Sequence, residues 1–181
     1  MFEAMILECA VPEAPPAIIE RIIQVESAGD PLAVNINGKT VTLQPENPTL
    51  ENLVIRIEVE LAEGNSADIG LMQLNTQHIL PTPEAIRGAF DPCANIRAGS
   101  EIFMRAYRPA VDFYGETELA FETALSAYNT GTFHRGFTNG YVERYDLRKE
   151  EGATETVAPG PDPFGSDTSV EIDFGGSSLR E

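Results

Sequence analysis

The chain has 181 residues and carries 29 acidic side chains against 12 basic ones, a formal charge of −17 at neutral pH. Repulsion of that size opposes binding to nucleic acid and to anionic membrane surfaces, and the length fits one ordinary domain with an appendage rather than two full domains. No run approaches the roughly 18 consecutive apolar residues of a membrane span. The opening Met1-Phe2-Glu3-Ala4-Met5 lacks the basic start and apolar stretch of a signal peptide, so an exported form is expected to have lost its leader.

In chain order, the first clear element is a helix over Ile18-Ile19-Glu20-Arg21-Ile22-Ile23-Gln24-Val25-Glu26-Ser27, with Pro15 and Pro16 suited to its first turn and Gly29 to its end. At about 100° per residue, Glu26 falls on the stripe of Ile19, Ile22 and Ile23, so one carboxylate rides on the face that should be buried. Burial and the negative end of a helix both favour the protonated acid, the state that acid catalysis of a glycosidic bond requires. A surface pairing with an arginine is the plainer alternative for a lone glutamate. Next, Val34 and Ile36 alternate with Asn35 and Asn37, and Asn37-Gly38 is followed by Val41 and Leu43 at spacing two, which predicts a β-hairpin. Residues 49–63 fit two periods. Leu50, Leu53, Val54, Ile57 and Leu61 suit a helix, whereas Ile55, Ile57, Val59 and Leu61 alternate like a strand; length and the closing Gly64 favour the helix.

Asp91-Pro92 makes a cap and first position for a helix carrying Ile96, Phe103, Ala106, Tyr107 and Ala110. Another is expected from about Thr117 to Gly131 with Leu119, Phe121, Leu125 and Tyr128, and a last short one around Tyr141, Val142 and Tyr145. From 147 to 181 the chain has eight acids, three bases and many Gly, Pro and Ser residues. Such a tail lacks the apolar surface to order itself, although Val170, Ile172 and Phe174 could add one strand to a partner's sheet. The domain organisation is therefore 1–146 followed by a tail of 147–181.

Two further segments look unlike ordinary core. Asp68-Ile69-Gly70-Leu71-Met72-Gln73-Leu74-Asn75 supplies a glycine for close backbone approach, a flexible thioether and two amides able to grip hydroxyl and acetamido groups. Ala127-Tyr128-Asn129-Thr130-Gly131 ends a helix with a phenol and an amide. Cys9 and Cys93 have no CxxC and no histidine in ligand spacing, which argues against zinc and leaves two thiols or one disulfide open. His78 and His134 read as surface or core residues.

Glu26-Ser27, Gly70-Leu-Met-Gln73 and Ala127-Tyr-Asn129, in this order, resemble the signature motifs of lytic transglycosylases with a lysozyme-like fold. The nearer resemblance is to the VirB1-like branch attached to type IV secretion systems. It is carried by Ile23 to Ser27 with Asn35-Ile-Asn-Gly38, by Asp91-Pro-Cys93 leading into Asn95-Ile-Arg-Ala-Gly99, and by Ser126 to Gly131 with Gly136-Phe-Thr-Asn-Gly-Tyr141. It covers roughly Cys9 to Arg144. The resemblance implies an α+β, mainly helical lysozyme-like domain that cleaves the β-1,4 bond between N-acetylmuramic acid and N-acetylglucosamine in peptidoglycan and leaves a 1,6-anhydro end. Glu26 would be the single catalytic acid and base, a substrate-assisted exception to the two-carboxylate rule. Asp68 is the one clear second acid in the motif segments.

By motif position, Ser27 would support Glu26, Met72, Gln73 and Asn75 would line the sugar subsites, and Tyr128 and Asn129 would hold the reacting ring. Cys9 and Cys93 match the branch's cysteines, which implies a disulfide in the periplasm. No cofactor or metal is implied; the partners implied are glycan strands and type IV secretion components. The chain has no Trp, so stacking on sugar would fall to Tyr107, Tyr128, Phe133, Phe137 or Tyr141. A lysozyme-like hydrolase and a non-catalytic wall-binding assembly factor are the alternatives.

Overall fold

Residues 2–38 and 49–145 are described by the computed structural model of the chain, and their contacts divide them after Glu101 into two units. In the first, helix α1 (Glu3–Cys9) packs on helix α2 (Pro16–Ser27). Pro15 is extended and Pro16 occupies the first helical position, where its missing N–H costs nothing. Ile19, Ile22 and Ile23 are fully buried, each contributing on the order of 1.5–3 kcal/mol. The helix ends at Ala28, which takes the left-handed conformation (φ 51°) and donates its N–H to the Gln24 carbonyl at 3.1 Å; Gly29 follows at φ 81°. A bond between Cys9 and Cys93 ties α1 to the start of the long helix α5 (Pro92–Tyr114), with Cα atoms 5.0 Å apart. The Val11 N–H adds a hydrogen bond to Ser100 Oγ at 3.0 Å.

Residues 49–63 resolve as helix α3 (Leu50–Ala62). Thr49 caps it by accepting from the Asn52 N–H at 3.3 Å, and Gly64 follows its end at φ 84°. Leu53, Val54 and Ile57 face inward, while Ile55 and Val59, half of the competing strand pattern, are exposed. Glu60 is fully buried, ion-paired with Arg56 and accepting from Asn65 Nδ2 at 2.8 Å.

Strands β1 (Val34–Ile36), β2 (Ala67–Ile69) and β3 (Leu74–Asn75) form one antiparallel sheet in that order. The register pairs Val34 with Ile69, Asn35 with Asp68 and Ile36 with Ala67, then Asp68 with Asn75 and Ile69 with Leu74. Because side chains alternate between faces, Val34, Ile36, Ala67 and Ile69 join Leu53, Val54, Ile57, Ile86, Ala89 and Phe90 in one core. Asn35, Asp68 and Asn75 make a polar row on the opposite face. The expected Asn37-Gly38 turn is present, with Gly38 at φ 83°. Val41 and Leu43, the hairpin's expected second arm, lie outside the described residues, and the described neighbour of β1 is β2. A 3-10 turn (Thr76–His78) and helix α4 (Pro83–Ala89), capped by Thr82, complete the unit with the start of α5. The predicted cap of α5 is present, as Asp91 Oδ1 accepts from the Ala94 N–H at 2.8 Å.

The second unit holds the rest of α5, which passes through Pro109, and helices α6 (Glu118–Thr130) and α7 (Arg135–Thr138). Thr117 caps α6 by accepting from Ala120 at 3.3 Å, and Gly131 ends it at φ 73°, so the helix starts and stops where its sequence predicts. Phe103, Ala106, Ala110, Ala120, Ala124 and Leu125 are fully buried. The last expected helix is a 3-10 turn (Val142–Tyr145), with Tyr141 and Tyr145 joined hydroxyl to hydroxyl at 3.0 Å. The architecture is α+β and mainly helical. No helix among the described residues is long and apolar enough to cross a membrane. The expected tail of 147–181, with its Val170–Phe174 segment, lies outside the described residues.

Candidate functional site

Glu26 sits half-buried in the last turn of α2, beside Ser27. The Ser27 hydroxyl contacts the Ile23 carbonyl at 3.0 Å within its own helix and the Leu71 carbonyl at 2.9 Å, and it accepts from the Gly29 N–H at 3.2 Å. One hydroxyl thus fixes the helix end that bears Glu26 to the turn between β2 and β3, joining two segments far apart in sequence.

That turn, Gly70 to Gln73, is built by close approach. Gly70 has φ 74°, and a Cβ there would lie 2.4 Å from Asn95 Nδ2 and 3.1 Å from the Ala89 carbonyl oxygen. Its N–H donates to the Ala33 carbonyl at 2.8 Å. Buried Asn95 clamps the turn from behind, donating to the carbonyls of Ile69 at 2.9 Å and Ala89 at 2.8 Å and accepting from the Met72 N–H at 2.8 Å. Met72 is fully buried over Gly99, where a Cβ would come within 2.6 Å of the thioether sulfur. Its side chain therefore fills the space behind the turn in this structure. Gln73 holds a left-handed φ of 49°, rare for a residue with a side chain. Its own amide supports that conformation: Nε2 donates to the carbonyls of Gly70 at 2.9 Å and Ala33 at 3.3 Å. Two carbonyls facing the NH2 group fix the sense of the amide, and the oxygen Oε1 accepts no hydrogen bond among the described residues.

Beside the turn, Asp68 occupies the middle of the polar row. Asn75 Nδ2 donates to its Oδ1 at 2.7 Å, and Asn35 Nδ2 to its Oδ2 at 3.3 Å. Burial pushes the Asp68 carboxyl above its ordinary value of 3.8, against hydrogen bonds from Asn75, Asn35 and Asn37 that pull it down. Asn75 is held at both ends, because its Oδ1 also accepts from the Gln77 N–H at 2.9 Å.

Tyr128 and Asn129 belong to the second unit, at the end of α6. Tyr128 lies edge-on to Phe103, with ring centroids 6.3 Å apart, and Phe103 stacks on Tyr107 at 5.3 Å. Asn129 is exposed. The helix end is held by Ser126 Oγ, which donates to the Thr132 carbonyl at 2.7 Å and accepts from the Gly136 N–H at 2.8 Å. Gly136 is required there, since a Cβ would lie 2.6 Å from Ser126 Cα. Thus Glu26, Ser27, Met72, Gln73, Asn75 and the cystine lie in the first unit, Tyr128 and Asn129 in the second. Among the described residues, no three His, Cys, Asp or Glu side chains gather as a metal site. Sequence reasoning assigned no role to Asn95, although its segment carried part of the resemblance.

The model of the TraH_2 family matches residues 1–171. The chain belongs to that family. Among relatives of this TraH_2 protein, Protein virB1 of Agrobacterium fabrum (strain C58) is 35% identical over 152 residues, 84% of this chain and 58% of its own. Type IV secretion system protein virB1 of Brucella suis biovar 1 is 31% identical over 137 residues, 75% and 56% of the two chains. Uncharacterized protein y4dP of Sinorhizobium fredii (strain NBRC 101917 / NGR234) is 27% identical and covers 93% and 78%. The TraH_2 chain is thus VirB1-like, and it spans 56% to 62% of the length of these and further virB1 relatives. No solved structure matches it.

Proposed function

We propose that the chain is a lytic transglycosylase of lysozyme-like fold that cleaves the β-1,4 bond between N-acetylmuramic acid and N-acetylglucosamine. The observation that carries this reading is the 2.9 Å hydrogen bond from Ser27 to Leu71, which joins the Glu-Ser and Gly-Leu-Met-Gln segments in one unit. Glu26 protonates the leaving glycosidic oxygen while the substrate's acetamido oxygen closes on the anomeric carbon. As a carboxylate it then takes the proton of the C6 hydroxyl, whose oxygen displaces the acetamido group and closes the 1,6-anhydro ring. No water is consumed, and Glu26 ends protonated as it began. Ser27 holds the helix end that presents Glu26, Gln73 and Asn75 bind sugar, Met72 supports the turn, and Tyr128 and Asn129 hold the reacting ring.

The names of the virB1 relatives favour a place beside a type IV secretion apparatus, where cleavage opens the wall locally. The Cys9–Cys93 bond suits an oxidising compartment such as the periplasm. Mass spectrometry of muropeptides released by the full chain tests the reaction, because anhydro and reducing ends differ by one water. Glu26→Gln should remain folded and bind glycan yet lose nearly all release, since an amide neither donates nor accepts the required proton. Reducing ends would make the enzyme a hydrolase, and release by a folded Glu26→Gln protein would remove Glu26 from the chemistry.

A further inference from the structure

On the face of the sheet opposite the core, Asn35, Asp68 and Asn75 stand in register across three strands. Their hydrogen bonds leave little freedom. Asn75 must turn its NH2 toward Asp68, because its oxygen is engaged by the Gln77 N–H. An ionised Asp68 can only accept, so Asn35 must turn its NH2 inward as well. That NH2 also lies 3.5 Å from Asn37 Oδ1, which calls for the same sense. Asn35 is exposed, and its oxygen Oδ1 accepts nothing among the described residues. Two residues before Asn35, the Ala33 carbonyl holds the Gln73 amide in the same sense, NH2 inward and with an oxygen that accepts nothing among the described residues.

We propose that Asn35 is a specificity-determining residue whose outward carbonyl oxygen accepts the N–H of an acetamido group of the glycan, and that Asp68 is the positioning residue that locks it in this sense. The inference deepens the transglycosylase reading and rests on it for the substrate class. The chemistry selects an acetamido N–H over a hydroxyl. A hydroxyl can donate or accept and would tolerate either sense of the amide, whereas an amide N–H can only donate and needs an oxygen facing it.

The lock makes a specific prediction for Asp68→Asn, a change of nearly identical shape. Asn75 is still bound to Gln77, so the new amide must offer its oxygen to Asn75 and its NH2 to Asn35. Asn35 then has to rotate and present NH2 outward. Acceptor becomes donor at the surface, with positions 35, 68 and 75 still paired to one another and only the long 3.5 Å contact of Asn35 with Asn37 given up. The reciprocal exchange, Asp68→Asn with Asn35→Asp, restores the original polarity: the carboxylate at 35 accepts from the amide at 68 through one oxygen and presents the other outward.

The experiment is calorimetric titration of the full chain carrying Glu26→Gln, to prevent turnover, with the tetramer of N-acetylglucosamine and with cellotetraose, which has hydroxyls in place of the acetamido groups. Asn35→Ala and Asp68→Asn should each weaken binding of the N-acetylglucosamine tetramer by roughly ten-fold, with a much smaller effect on cellotetraose. The Asp68→Asn and Asn35→Asp exchange should recover most of the loss. Two-dimensional NMR of the side-chain NH2 of Asn35 should show it leaving the carboxylate in Asp68→Asn while the backbone spectrum and melting temperature are retained. Unchanged affinity in both single variants, or no recovery in the exchange variant, overturns the inference; so does equal weakening toward cellotetraose. Muropeptide release by the chain with Glu26 intact is measured in parallel. An absence of anhydro product there, with the tetramer affinities behaving as described, overturns the reaction and supports the recognition device.

Discussion

Asn95 uses both hydrogens of its amide and one lone pair of its oxygen on the backbone of the turn that carries Gly70 and Met72. Asn95→Ala would remove three hydrogen bonds to the backbone behind the turn, among them the one that Met72 N–H donates. The expected loss is about 2–5 kcal/mol of unfolding free energy, measured by urea denaturation, and a loss below 1 kcal/mol would show that the clamp is not needed. Asp68 allows a prediction with a definite sign. Its folded pKa is raised above the ordinary 3.8 by burial, so the folded state binds the proton more tightly than the unfolded chain does. The stability it contributes is fully present below pH 3.8 and is lost as pH rises through the folded value. Lowering the pH from neutral toward 4 should therefore raise the stability of the unaltered chain relative to Asp68→Asn, which cannot titrate. A difference that falls over that interval would contradict the burial argument.

At the scale of elements, legibility followed the reach of the signal. The isoleucine stripe of α2, the start of α6 near Thr117 and the Asp91-Pro92 start are local statements, and each is found where the sequence places it. In residues 49–63 two periods competed, and the Thr49 cap and the core contacts of Leu53, Val54 and Ile57 decided for the helix. Strands β2 and β3 were missed because three and two residues are too few to display alternation. Helices α1, α4 and α7, of seven, seven and four residues, fall below a length at which periodicity is readable. In the candidate site, Gly70 and Gln73 were legible as unusual residues in an unusual order. The work of Asn95 was not, because its partners are backbone atoms that only folding brings near. The cap is the simplest of these readings to test: Thr117→Ala should cost about 1 kcal/mol through the lost acceptor for Ala120, read from the denaturation midpoint. No change would mean that the end of α6 is held by packing alone.

For the whole molecule, the largest single constraint is the cystine, with 84 residues of sequence separation between its halves. Closing a loop of that length stabilises by roughly 4 kcal/mol in the chain-entropy model. Reductant, or Cys9→Ser with Cys93→Ser, should lower the denaturation midpoint accordingly, and an unchanged midpoint would show that packing between α1 and α2 suffices. Glu26, Asn35, Asp68, Gln73 and Asn75 all lie between the two cysteines. Together they occupy a single covalent ring closed by sulfur. A protease that cuts the backbone once inside the ring opens it into a linear arrangement of two pieces still bonded to each other. On a gel without reductant such a nicked chain runs as one species, and with reductant as two. Glu26 and the sheet's amide row can thus tolerate a cut in the chain between them without being free to diffuse apart, a robustness that lasts as long as the sulfur bond does.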